Sequence, residues 1–88
     1  MVDVEQMKKK TFRKVSKLYG QDLLLLSAVK RLLDKHDRIV DIIADCKISR
    51  GAWYHFMNGE ARDGVRLAII FTAARKAIER DFFGRSGL

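Results

Sequence analysis

Eighty-eight residues, 48% of them hydrophobic, give one small domain with material for a single compact core. The formal net charge of +7, from 18 basic and 11 acidic residues, is the electrostatic footprint expected toward a polyanion, although a generically soluble basic protein carries the same total. The lone cysteine, Cys46, excludes an internal disulfide; one cysteine and two distant histidines lack zinc-ligand spacing; and the longest apolar run, Leu23 to Leu26, is far too short to cross a membrane.

The chain has no proline and is rich in Leu, Ala, Lys and Arg, which favours an all-α fold. Charge is unevenly spread. Residues 1–20 hold six basic and two acidic residues, whereas residues 21–46 hold four and five. Residues 47–66 and 67–88 each hold four basic and two acidic residues. The ends and the middle segment are therefore basic around a slightly acidic portion, an asymmetry suited to turning one face toward phosphate.

Residues 4–19 read as a basic helix. Val4, Met7, Thr11, Phe12, Val15, Leu18 and Tyr19 recur at helical spacing, and Lys8, Lys9, Lys10, Arg13, Lys14 and Lys17 fill the remainder. Two roles are open for residues 1–20: an arm or helix that places Lys8, Lys9, Lys10, Arg13 and Lys14 on phosphates, or a helix whose basic face is merely solvated. A basic amphipathic helix can also lie on a membrane, but a polyanion partner for the chain as a whole accounts for the charge more economically.

Gly20 breaks the pattern, and Asp22 is placed to cap a second helix from Leu23 to about His36. Its buried stripe is Leu25, Val29, Leu32, Leu33 and His36, with Leu26 at the edge. Asp37 is a candidate cap for a third helix, Arg38 to Cys46, that buries Ile42, Ile43 and Cys46. Ile48 plugs a tight turn. Ser49 caps a fourth helix that runs to about Met57 and ends at Asn58-Gly59, a pair suited to left-handed backbone. Residues 59–64 read as a loop. A fifth helix spans about Val65 to Phe82, with Val65, Ala68, Ile69, Thr72, Ala73, Lys76 and Ala77 on one side and Leu67, Ile70, Phe71, Ala74 and Ile78 on another. Its width of apolar surface suggests contact with both the core and a second subunit; Ile70, Phe71, Phe82 and Phe83 are candidate dimer contacts. Residues 84–88 read as a flexible tail.

The stretch Asp41 to Gly59 carries the functional signal, as two short helices joined by a turn. At about 100° per residue, Trp53 and Phe56 share one face of the second helix, while Gly51, Tyr54, His55 and Asn58 share the opposite one. Trp53 is read as core rather than as a base-stacking residue, because Phe56 follows it at i+3. Arg50 flanks the polar stripe and is the foremost candidate for base contact, since its fork matches guanine; Asn58 can pair with adenine or serve only as a helix stop. Tyr54 and His55 can reach bases or phosphates, and Gly51 leaves room for the duplex. Lys47 and Ser49 in the turn, with Arg62 and Arg66 after the motif, are candidate phosphate contacts.

This arrangement resembles the lambda-repressor/Cro-like (XRE-type) helix-turn-helix family over roughly residues 25–80. The matching features are the apolar pair Ile42-Ile43, the small Cys46, the plug Ile48, the start Ser49-Arg50 and the end Asn58-Gly59. Ile43 stands where that family usually has alanine, Lys47 where a turn glycine is common, and Trp53 is larger than the usual residue. The resemblance implies a compact five-helix domain, here with a basic N-terminal helix added, binding a palindromic operator in double-stranded DNA as a homodimer, often in phages and mobile elements.

The expected function is therefore a sequence-specific, dimeric transcriptional regulator, more readily a repressor than an activator. The alternatives are a protein-binding adaptor or antirepressor that uses the fifth helix and Met57, and a non-specific nucleic-acid binder that uses the lysine-rich helix. No carboxylate pair, nucleophile–base set or glycine-rich phosphate loop points to an enzyme. No cofactor, metal, small-molecule ligand or membrane partner is expected, and the charged N-terminus lacks a signal-peptide pattern. The expected location is the cytoplasm, at the nucleoid, or the host cytoplasm if a phage encodes the chain.

Overall fold

Helix α1 (Val4–Tyr19) starts where the Asp3 carboxylate accepts the Glu5 N–H at 3.1 Å. The computed structural model describes residues 3–85, with side chains over residues 3–75. Four further helices follow among the described residues: α2 (Leu23–Lys35), α3 (Ile39–Cys46), α4 (Arg50–Met57) and α5 (Asp63–Arg85). The all-α, five-helix architecture is the one expected, and no strand occurs among the described residues.

Asp22 caps α2 as the sequence indicates, its carboxylate accepting the Leu25 N–H at 3.0 Å. The inward stripe is Leu25, Ala28, Val29, Leu32 and Leu33, all buried. His36 departs from that stripe: it takes extended backbone and ends the helix. Its ring is half-buried, with Nε2 2.8 Å from the Asp45 carboxylate, so it links the end of α2 to α3.

Asp37 does not cap α3. Arg38 occupies the cap position with no side-chain bond to the helix backbone, its guanidinium donating instead to the Asp41 carboxylate, while the Asp37 carboxylate is drawn to the Lys8 ammonium, 3.0 Å away. That pairing across chain segments holds the start of α3 against α1. It raises the Lys8 pKa, chiefly through the hydrogen bond to Asp37.

α5 begins at Asp63 rather than Val65, since the Val65 N–H already bonds the Arg62 carbonyl at 3.0 Å, and it continues to Arg85. Gly84 and Arg85 thus lie in the helix and not in the expected tail, while residues 86–88 lie outside the described residues. α5 packs along α2 and also touches α3 and α4. It contributes Ile69, Thr72 and Ala73 to the interior.

One core joins all five helices: Val15 and Tyr19 from α1, the α2 stripe, Ile42 and Cys46 from α3, Trp53 and Phe56 from α4, and Ile69 and Ala73 from α5. Phe56, Leu25, Leu32, Ile42, Ile69, Val15 and Val29 are fully enclosed, each contributing roughly 1.5–3 kcal/mol by removal from water. The N-terminal segment is integral to this core. Its Val15 is completely buried, so α1 is a packed helix and not a loose arm.

Candidate nucleic-acid interface

The turn between α3 and α4 is closed by two backbone bonds: Lys47 N–H to the Ala44 carbonyl and Ile48 N–H to the Ile43 carbonyl, both 3.2 Å. This is the Schellman pattern, which needs a left-handed residue at its centre. Lys47 fills that position with φ +56°, so the turn keeps the backbone that glycine would adopt. Ile48 and Ile43 are both half-buried against the core, Ile43 less enclosed than expected because the fully buried Ile42 sets the inward direction of α3 and Ile43 follows it about 100° around the helix.

Ser49 caps α4, its Oγ accepting the Ala52 N–H at 3.0 Å. That use commits the hydroxyl to the helix start, where the sequence reading also assigned it to phosphate. At the far end the same Schellman pattern recurs: Gly59 N–H bonds Phe56 and Glu60 N–H bonds His55, at 3.1 and 2.8 Å. Gly59 alone takes the left-handed angle, φ +77°, while Asn58 stays at φ −101°.

The buried side of α4 is an aromatic column. Trp53 stacks on Phe56 with centroids 5.4 Å apart, and Phe56 stacks on Tyr19 at 4.8 Å. The Tyr19 hydroxyl donates to the Phe56 carbonyl at 2.6 Å. Burial pushes the Tyr19 pKa up, against the opposing effect of Arg66, so the phenol stays a donor. The Arg66 guanidinium lies over the Tyr19 ring, 5.1 Å from its centroid, with Nη1 3.7 Å from Asp63. Arg66 Nε is buried with no partner among the described residues. Arg66 is therefore half-buried structural packing at the foot of the column, more enclosed than the open phosphate contact the sequence suggested.

The opposite side of α4 is open. Arg50, Gly51, Tyr54, His55 and Asn58 are all exposed, Tyr54 at 66%. Around them, Lys47 and Arg62 are exposed and form no ion pair among the described residues, and the same holds for Arg50. His55 is the exception in the stripe: its Nδ1 is 3.2 Å from a carboxylate oxygen of Glu60. Gly51, His55, Glu60 and Arg62, with Ser49, Ala52, Ala61 and Val65, line an open concavity of about 610 Å³ beside α4.

The α1 candidates divide. Lys9, Lys10, Arg13 and Lys14 are exposed, whereas Lys8 is held between Asp37 and Glu5 with its side chain only 15% exposed. The proposed dimer residues divide as well. Phe71 is 65% exposed and Leu67, beside it on α5, 48%, but Ile70 is half-buried on the chain's own core. The side chains of Phe82 and Phe83 lie outside the described residues.

Sequence reasoning missed two participants. Tyr19 was read only as stripe, and nothing local indicates a hydroxyl bond to residue 56. Glu60 falls in a loop by sequence, although its position carries a signal: a glycine ending a helix in the left-handed conformation returns the next residue beside the one five positions back. Among the described residues, no three His, Cys, Asp or Glu side chains converge to hold a metal, and no helix is long and apolar enough to cross a membrane. No family model, curated protein or solved structure matches the chain.

Proposed function

We propose that the chain is a sequence-specific double-stranded-DNA-binding protein that lays α4 in the major groove and acts as a transcriptional regulator, as a helix-turn-helix of the lambda-repressor/Cro-like type does. One observation carries the reading. α4 is anchored from behind by Trp53 and Phe56, while Arg50, Tyr54, His55 and Asn58 face solvent together, bordered by Lys47 and Arg62, which form no ion pair among the described residues. A rigid polar stripe with cations at its margins is the arrangement that reads base edges while phosphates set register. Gly51 adds no bulk near the start of the helix, so the duplex can approach. Exposed Lys9, Lys10, Arg13 and Lys14 supply further positive charge on α1. On this reading the protein is a homodimeric repressor of phage or mobile-element type, bound to a palindromic operator, with the Leu67–Phe71 side of α5 as the candidate contact between subunits.

Selection of bound sites from a random duplex pool tests the proposal. A discrete, two-fold symmetric consensus is expected, with binding that weakens steeply as salt rises. Arg50→Ala is expected to erase the preference for that site while leaving the thermal melt unchanged. Equal loss of binding to the selected site and to random DNA overturns Arg50's base-reading role, and a pool that yields no consensus overturns sequence-specific recognition.

A second reading rests on exposed Phe71 and Leu67, the apolar surface that an adaptor or antirepressor would present to another protein. It predicts that Phe71→Ser abolishes protein association without altering DNA affinity per subunit.

A further inference from the structure

We propose that Glu60 is a specificity-positioning residue that sets which base His55 reads. The inference rests on the DNA-binding reading above and deepens it.

The placement of Glu60 follows from the end of α4. Gly59 turns the chain left-handed, the Glu60 N–H bonds the His55 carbonyl at 2.8 Å, and the Glu60 side chain is thereby laid alongside the His55 ring. The contact is between Glu60 Oε2 and His55 Nδ1, 3.2 Å apart. An ionised carboxylate only accepts hydrogen bonds, so Nδ1 must carry the proton. In the neutral imidazole the other nitrogen, Nε2, is then a bare acceptor. Nε2 points away from Glu60 across the ring and has no partner among the described residues, and the His55 side chain is 59% exposed.

An acceptor presented to the major groove selects, at the position it reaches, a base that offers an amino group there. Adenine does so through N6 and cytosine through N4, whereas guanine and thymine offer acceptors at the corresponding positions. Without Glu60 the ring is free to take either tautomer, and the discrimination is lost. Glu60 also places a negative charge at the rim of a surface otherwise bordered by Lys47, Arg50 and Arg62. That charge repels the phosphates nearest to it whatever the sequence. A carboxylate in this position weakens binding in general and sharpens it in particular.

Glu60→Gln separates the two effects, since an amide can donate as well as accept and carries no charge. The side chain is 65% exposed, so the fold is expected to survive, with an unchanged thermal melt as control. Two measurements are made at about pH 8, where imidazole side chains are ordinarily neutral. Nitrogen NMR of the His55 ring reads the tautomer, and site selection from a random duplex pool reads base preference. Wild type is expected to show the Nδ1-protonated form and to favour adenine or cytosine at one position of its site. The variant is expected to show mixed tautomers, to lose roughly five- to tenfold of the preference at that position alone, and to bind random DNA more tightly. A discrete wild-type site whose preference at every position is unchanged in Glu60→Gln overturns the role of Glu60 while leaving DNA recognition standing. An Nε2-protonated ring in the wild type overturns it as well. Absence of any discrete wild-type site overturns both readings together.

Discussion

The hydroxyl of Tyr19 donates to the main-chain carbonyl of Phe56 across 2.6 Å, while their rings stack with centroids 4.8 Å apart. One residue of α1 thus holds α4 by both its backbone and its side chain. Tyr19→Phe keeps the stack and removes only the hydroxyl, and the Phe56 carbonyl retains the Gly59 N–H. The expected cost is about 1 kcal/mol in urea unfolding. Tyr19→Ala removes the stack too and is expected to cost roughly 3–5 kcal/mol. Equal stability of the two variants would show that the hydroxyl bond, and not the ring, carries the contact.

Lys47 holds a left-handed backbone angle, φ +56°, at a cost that glycine avoids. Lys47→Gly is expected to raise unfolding free energy by about 0.5–1 kcal/mol, after the extra freedom of glycine in the unfolded chain is set against it. The same substitution removes an exposed cation beside α4. On the proposed function it therefore weakens DNA binding and lowers the slope of log affinity against log salt by about one. Chemical denaturation and salt-dependent titration check the opposite signs.

Gly59 is the reverse case. Its φ of +77° strains any L side chain, and an added Cβ would meet Leu18 Cδ2 at 3.1 Å. Leu18 is 42% exposed and can swing aside, so the backbone dominates the cost. Gly59→Ala is expected to lose about 1–2 kcal/mol of stability, measured by thermal or urea melts.

Cys46 is buried, and its pKa is pushed from 9.0 to about 11, first by burial, opposed by the Thr72 hydroxyl and reinforced by Asp45. The folded protein therefore holds this proton more tightly than the unfolded chain. That contribution to stability is complete below pH 9.0 and is lost as pH rises toward about 11. Cys46→Ala is expected to flatten the decline of melting temperature over that interval. In the folded protein the thiol is expected to react with thiol reagents only as fast as the chain opens, which a labelling time course at neutral pH checks.

Most of the architecture was legible because the periodic signals were strong and locally consistent. Asp22 and Ser49 sit one residue before apolar-periodic segments and cap them, and Trp53 with Phe56 at i+3 marks the buried side of α4. The exposed stripe follows from the same geometry. What failed to show in the sequence depends on partners far along the chain. Asp37 is a plausible cap until α1 packs close enough for Lys8 to claim it. Arg66 reads as a free cation until Tyr19 lies beneath it. His36 continues the helical stripe by spacing until Asp45 offers a carboxylate beyond the end of the helix. Ionisable side chains choose their partners in three dimensions, and a pattern along one helix does not hold that information.

Helix α3 is eight residues long, with no side-chain cap at its start and a lysine in a costly conformation at its finish. Helices this short are marginal in water on their own. Its order is borrowed from Ile42 and Cys46 seating among the long helices. α3 is thus ordered by its neighbours more than by its own turns, and its amide protons are expected to trade with solvent ahead of those of α2 and α5 in a hydrogen-exchange measurement. The pose in which α4 meets solvent is therefore maintained by its neighbours, α3, α5 and Tyr19 of α1, rather than by its own eight residues.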